Sequence, residues 1–243
     1  MCIGLVAIYL YAYIGGSYKG NERGSNMLKV LIVDDHEIVS TGISRMLQDV
    51  SNIDVVGCAM DGETAVSMTS KLMPDIVLMD VHMPGIGGLG ATKEIKRIAP
   101  KVKIIAISAL DDNPYPTKLI EAGASGYITK GIALKEMLAA IEKVASGQKY
   151  VSFDIAQKMA LSQVSKNENS SPLGSLSDRE LQIAQMIVDC RKVQEIAESL
   201  HLSSKTVNTY RYRIFEKLTI SSDVELARLA MRHQLLGMVV SEK

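Results

Sequence analysis

The sequence predicts a doubly wound parallel α/β domain joined to a smaller all-α domain, and three observations carry this. Between residues 28 and 147, short runs rich in Val and Ile alternate with amphipathic segments, the pattern of a parallel sheet with helices on both faces. A polar stretch at 167–174, Asn-Glu-Asn-Ser-Ser-Pro-Leu-Gly, then breaks the pattern. Its Pro172 and Gly174 mark a linker. Beyond it, apolar residues recur only at helical spacing.

Five strands are predicted at 29–33, 54–59, 75–79, 103–107 and 126–128, apolar on both faces as buried parallel strands must be. Helices are predicted between and after them at 36–49, 62–72, 89–98, 115–122 and 133–145. A short stretch at 152–162 can form a helix belonging to either neighbour. In the C-terminal part, Ser177-Asp-Arg-Glu180 and Ser222-Asp-Val-Glu225 are S-x-x-E capping boxes, a reciprocal pair of side-chain to backbone bonds that starts a helix. Four helices are expected there, near 178–188, 193–199, 204–218 and 223–235. The domain plan is therefore an N-terminal extension at 1–26, an α/β domain at 27–147, a linker at 148–175, a helical domain at 176–237 and a tail at 238–243.

Composition narrows the function. A chain of 243 residues that is 47% hydrophobic suits one or two globular domains and excludes a disordered or collagen-like protein. Lys plus Arg equals Asp plus Glu at 27 each, so a nucleic-acid partner must be met by a local patch. Cys2, Cys58 and Cys190 are odd in number and too far apart for a short-spaced metal quartet, which points to a reducing, cytoplasmic compartment. Residues 1–14 are uncharged and apolar but shorter than the roughly 20 residues of a spanning helix. Lys19 and Arg23 follow this run instead of preceding it, unlike a signal peptide. Residues 1–26 read as a non-structural extension, with a membrane tether as the alternative.

In a doubly wound sheet the ligand site lies outside the carboxyl ends of the strands. Strand one ends in Asp34 and Asp35, strand three in Asp80 and strand four in Ser108, while Lys130 follows strand five. Three carboxylates gathered at one rim repel one another unless a cation neutralises them. Hard oxygen ligands suit Mg²⁺. A carboxylate beside Mg²⁺, with an ammonium and a hydroxyl nearby, is a site for moving a phosphoryl group, with Asp80 as the nucleophile.

The helical part carries ten basic and nine acidic residues from Leu176 to Lys243, so placement matters more than total charge. The segment 204–218 holds Lys205, Arg211, Arg213 and Lys217 against Glu216 alone. At 100° per residue Val207, Ile214 and Leu218 point to the core. Lys205, Thr209, Tyr212 and Glu216 lie opposite, with Asn208 and Arg213 on the flanks. Such a face can read base edges in a major groove while flanking cations meet phosphates. Arg211 falls near the apolar side, where a phosphate contact or snorkelling is expected before base readout. The preceding segment 193–200 joins it through the short turn His201-Leu-Ser203, the spacing of a helix-turn-helix.

The motifs V-D-D-H at 33–36, L-M-D-V-H-M-P-G at 78–85, I-S-A at 107–109 and G-A-S-G-Y-I-T-K at 123–130 resemble a response-regulator receiver domain, a five-stranded flavodoxin-like fold. The resemblance implies Asp80 as phosphoacceptor. It also implies Asp35, Asp80 and the His82 backbone carbonyl as direct Mg²⁺ ligands, with Asp34 helping through water. Lys130 is implied to contact the phosphoryl oxygens, and Ser108 and Tyr127 to form a switch pair in which the ring turns inward. Gly131 stands where many receivers carry Pro. The motifs L-S-D-R-E-L at 176–181, E-I-A-E-S-L at 195–200 and S-S-K-T-V-N-T-Y at 203–210 are similar to the LuxR/NarL type of four-helix DNA-binding domain, with Cys190 where many relatives have Gly. Its DNA-contact candidates here are Lys205, Thr206, Asn208, Thr209, Arg211, Tyr212 and Arg213. The last helix is implied to be that domain's dimer surface.

Residues 27–237 together resemble the NarL/FixJ class of two-component response regulators, and Asn113-Pro-Tyr-Pro116, Lys192-Val-Gln-Glu-Ile196 and Asn208-Thr-Tyr-Arg-Tyr-Arg213 look most like its GacA/UvrY/LetA subgroup. That resemblance implies a membrane-bound sensor histidine kinase as partner, homodimers on promoter double-stranded DNA, contact with RNA polymerase, and small regulatory RNAs of a CsrA-type pathway as targets. It implies no enzyme activity beyond the receiver's own phosphoryl transfer and dephosphorylation. The rival classes are a phosphotransfer intermediate, an RNA-binding antiterminator and a phosphorylation-independent DNA-binding scaffold. A metabolic enzyme is disfavoured because no Gly-rich phosphate loop or hydrolase nucleophile elbow occurs.

Overall fold

In a computed structural model the described residues are 27–108, 115–164 and 172–232. Strands β1 (Leu28–Val33), β2 (Ile53–Ala59), β3 (Ile76–Asp80), β4 (Lys103–Ser108) and β5 (Gly126–Thr129) alternate with helices α1 (Glu37–Gln48), α2 (Gly62–Leu72), α3 (Gly87–Ile98), α4 (Tyr115–Glu121) and α5 (Leu134–Ala145). Every pairing is parallel, in the order β2-β1-β3-β4-β5. The double-sided apolarity of the strands has a direct outcome. On β1, Val30 and Ile32 pack with Ile43 and Leu47 of α1 and Ile141 and Val144 of α5. Leu31 and Val33 pack on the opposite face with Ala65 of α2 and Ala91 and Ile95 of α3, as the two-residue repeat of a strand requires.

The sheet has a sixth strand that the periodicity did not announce. β6 (Tyr150–Val151) lies parallel to β5, pairing Gly126 with Tyr150 and Tyr127 with Val151. Two residues are too few for a pattern, but they cover the open hydrogen-bonding edge of β5. α5 ends with Gly147 at φ +91°, and the chain returns along that edge with Ser152 N–H donating to the Tyr127 carbonyl at 3.2 Å. α6 (Phe153–Val164) follows, with Ile155 buried among Tyr115, Leu119 and Tyr127 of the α/β domain. The expected linker at 148–175 therefore begins as part of that domain. Residues 165–171 of it lie outside the described residues, as do 1–26 and 233–243, where the extension, the tail and the end of the last helix were expected.

A 3₁₀ turn at Pro172–Ser175 leads into α7 (Asp178–Val188), α8 (Val193–Ser199), α9 (Ser204–Leu218) and α10 (Asp223–Arg232). The Ser177–Glu180 capping box is complete. The second is shared differently: Ser222 caps Glu225 N–H at 3.2 Å, while the Glu225 carboxylate takes the N–H and hydroxyl of Ser221. Cys190 sits at φ +59°, the left-handed position that favours Gly. Leu181, Ile196, Leu200, Val207, Ile214 and Leu226 form the helical core.

Candidate functional site

The parallel sheet delivers the predicted polar residues to one rim because each stands at, or just beyond, the carboxyl end of a strand. Asp34 is 2% exposed and Asp80 1%, and Ser108 is wholly buried. Lys130 Nζ lies 2.9 Å from Asp34 Oδ2 and 2.9 Å from Asp80 Oδ2, so one ammonium bridges two strand-end carboxylates. His82 N–H donates to Asp80 Oδ1 at 3.3 Å, and His36 N–H donates to Asp34 Oδ1 at 2.9 Å.

Charge balance explains the state of this cluster. Burial pushes the Asp80 carboxyl up to about 6, Lys130 opposes the rise and Asp34 adds to it. For Lys130, burial works against the ammonium, yet Asp80 and Asp34 hold it charged and above its usual range. A single ammonium thus only partly offsets the carboxylates, which leaves room for a further cation. The carboxylates of Asp34, Asp35 and Asp80 lie within 4.8 Å of one another and of the His36 ring. Asp35 Oδ1 is buried without a hydrogen bond, with His36 Nδ1 standing 2.9 Å away. An orphaned carboxylate oxygen beside two more hard-oxygen donors fits Mg²⁺ or a similar hard divalent ion.

Backbone shape supports the site. A Cβ on Gly88 would come 2.0 Å from the Asp80 carbonyl oxygen, so only glycine lets α3 start this close to β3. Gly131 adopts φ +91°, a backbone conformation that proline cannot reach. Tyr127 is wholly buried in the core beside Tyr115 and Leu119. The His82 side chain, unlike its backbone, turns away from the acidic cluster. Its ring meets Tyr115 edge-on at 4.8 Å, and burial, with Lys130 nearby, pushes it down to about 4, so it is neutral.

On α9 the burial follows the predicted faces. Val207, Ile214 and Leu218 are buried, and Lys205, Thr209, Tyr212 and Arg213 are exposed, Tyr212 at 74%. Asn208 is half-buried. Two candidates are engaged inside the domain instead. Arg211 lays its Nε and Nη2 on the Asp223 carboxylate and its guanidinium over Phe215. The Thr206 N–H donates to Ser203 Oγ at 3.1 Å, and its hydroxyl lies 2.8 Å from the same atom. Helical spacing put Arg211 near the apolar side but gave no hint of Asp223, which is twelve residues away.

Sequence reasoning also missed Arg179 and Gln182 of α7, whose side chains reach the loop after β3. Neither residue has a motif that announces such a contact. Among the described residues no helix is long and apolar enough to cross a membrane.

Comparisons with known proteins follow the same two-part division. Residues 30–142 match the response regulator receiver domain, and residues 174–230 match the luxR family of bacterial regulatory proteins. The chain is 55% identical over 213 residues to the response regulator GacA of Pseudomonas aeruginosa, covering 88% of this chain and 98% of that protein. It is 54% identical over 209 residues to the response regulator UvrY of Escherichia coli, covering 86% and 96%. Among solved structures, a LuxR-family two-component response regulator from Aurantimonas is 36% identical with a TM-score of 0.54, covering 56% of this chain and 97% of that one. The RcsB response regulator of Salmonella typhimurium shares the fold at 24% identity, with a TM-score of 0.67 over 85% and 98%.

Proposed function

The chain belongs to the two-component response regulators that carry a LuxR-type DNA-binding domain, and from that premise we propose that phosphorylation of Asp80 by a sensor histidine kinase controls its binding to promoter DNA. One observation supports this most: Lys130 bridges Asp34 and Asp80 while an orphaned oxygen of Asp35 faces the same cluster.

In the proposed chemistry an Asp80 carboxylate oxygen attacks the phosphorus of a phosphohistidine, the P–N bond breaks, and the electron pair returns to the imidazole. Mg²⁺, held by Asp35, Asp80 and the His82 carbonyl with Asp34 helping through water, would neutralise charge on the transferred group. Lys130 exchanges its contact with Asp80 for the new phosphoryl oxygens. The product carries about 1.5 to 2 negative charges where one or none stood. Ser108, at the end of β4 next to β5, is within the same rim and turns its hydroxyl toward the phosphoryl group, with Tyr127 following in the core. The protein's own phosphoryl transfer and dephosphorylation are its only catalysis.

The phosphorylated receiver promotes dimers, and two α9 helices meet paired half-sites in successive major grooves. Lys205, Thr209, Tyr212 and Arg213 meet the DNA, with Asn208 on the flank; RNA polymerase is then engaged at the promoter. The likeness to GacA and UvrY extends the proposal to small regulatory RNAs of a CsrA-type pathway as targets, in the cytoplasm. Genome-wide mapping of binding sites with the wild type against Asp80→Asn tests it. Occupancy that depends on the carboxylate supports the reading, and identical occupancy refutes it.

A further inference from the structure

The helical domain rests on the loop that carries the acidic site. Arg179 of α7 donates through Nη1 to the Gly85 carbonyl at 2.7 Å and through Nη2 to the Leu200 carbonyl at 2.7 Å. Gln182 Nε2 reaches the same Gly85 carbonyl at 3.2 Å and the Met83 carbonyl at 3.3 Å. From the other side Gly85 N–H donates to the Ser199 carbonyl at 2.9 Å. Gly85 is thus held on both its polar groups by the helical domain, three residues from His82. Around this clamp, Lys93 of α3 pairs with Asp178, and Lys118 of α4 donates to the Leu176 carbonyl at 2.8 Å.

Meanwhile the outer face of α9 is exposed. Docking in this arrangement therefore does not act by covering the groove-reading residues. What it covers is the loop after β3 beside the acidic rim, and of the acidic cluster Asp35 lines the space between them. Asp35 and His82 on one side and Asp178, Arg179 and Gln182 on the other line a single cavity of about 300 Å³. His82 Nε2 and Gln185 Oε1, on residues that line it, are buried without protein partners, which makes it a place for water. Its volume equals roughly ten waters in the liquid. A molecule the size of acetyl phosphate fits such a space, whereas a protein's helix or loop does not.

From this, and resting on Asp80 as phosphoacceptor, we propose that the rim around Asp35, His82 and Gly85 is an interaction surface with two mutually exclusive occupants: this chain's own helical domain and a phosphohistidine-bearing donor protein. The docked form discriminates between donors by size. It admits a small acyl phosphate and turns away a protein, and Arg179 and Gln182 are the latch.

The test measures phosphorylation of the full-length chain by two donors, acetyl phosphate and a histidine phosphotransfer domain carrying phosphohistidine. Two separate openings of the latch are made. One is Arg179→Ala with Gln182→Ala, and the other is Lys93→Glu, which opposes Asp178 without touching the helical core. Each should raise the rate from the protein donor about tenfold, the factor corresponding to about 1.4 kcal/mol, and leave the acetyl phosphate rate within about twofold. Adding Asp178→Lys to Lys93→Glu should restore the slow rate. Equal acceleration with both donors, or none with the protein donor, would overturn the size gate. Asp80→Asn separates the underlying assignment: label that persists on this variant removes Asp80 as acceptor, whereas the donor ratio alone judges the gate.

Discussion

The acidic rim and the outer face of α9 are opposite solutions to the problem of polar side chains. At the rim, Asp34, Asp80 and Ser108 are buried, and one ammonium holds two carboxylates in place. On α9, Lys205, Thr209, Tyr212 and Arg213 project into solvent, fixed only by the helix beneath them. Buried charges interact strongly and must be arranged in advance, since an unpaired one is costly. Exposed groups cost little to leave waiting, because water satisfies them until DNA does. Covalent chemistry is suited to the first region and reversible recognition to the second.

The largest effect that could break this contrast is at Asp80. Asp80→Asn should abolish incorporation of phosphoryl label from any donor, read by gel autoradiography, and normal labelling would remove the assigned chemistry. Lys130→Ala comes next. With the bridging ammonium gone, Asp34 and Asp80 face each other unscreened, and the labelling rate should fall on the order of 10²- to 10³-fold, as when a charge-stabilising donor is removed.

On α9, Lys205, Thr209 and Tyr212 replaced together by Ala should abolish sequence-specific mobility shifts while the melting temperature holds. Each base-edge contact is worth about 1–3 kcal/mol. Arg211→Ala sharpens the comparison, because its partner is Asp223: thermal stability should drop before specificity does. Unchanged stability would place Arg211 back among the DNA contacts.

Smaller effects follow from titration. The folded Asp80 carboxyl, raised to about 6 from 3.8, favours the folded state fully below about pH 3.8 and loses that contribution as pH rises through 6. In chelator, Asp80→Asn should therefore gain stability over the wild type between pH 4 and 7.5, by up to about 2–3 kcal/mol. A constant difference in denaturation midpoint across that range would refute the assignment. Smallest is Glu180, 3% exposed, whose burial opposes ionisation but which Lys217 and Ser177 hold below the usual carboxylate range. Glu180→Gln keeps the helix cap and loses the ion pair, and should lower the melting midpoint by the equivalent of about 1–2 kcal/mol.

Much of this contrast was legible in the chain. The strand-end positions of Asp34, Asp35, Asp80 and Ser108, with Lys130 just beyond β5, followed from where Val- and Ile-rich runs stop, because a parallel sheet sends all its carboxyl ends to one side. The faces of α9 followed from a 3.6-residue repeat. What escaped notice involved partners distant in the chain: the Arg211–Asp223 pair, the turn of the His82 ring onto Tyr115, and β6, whose two residues carry no period.

By itself the sequence determined two domains, the order of their elements and the set of groups at each site, since local propensity, burial periodicity and strand polarity are properties of short stretches. Only the tertiary structure decided that Lys130 spans two carboxylates, that Asp35 is left with an oxygen to spare, and that Arg179 grips Gly85 across 94 residues. Those contacts depend on how separately folded surfaces meet, and the free energy of such a meeting resides in no single segment of the chain.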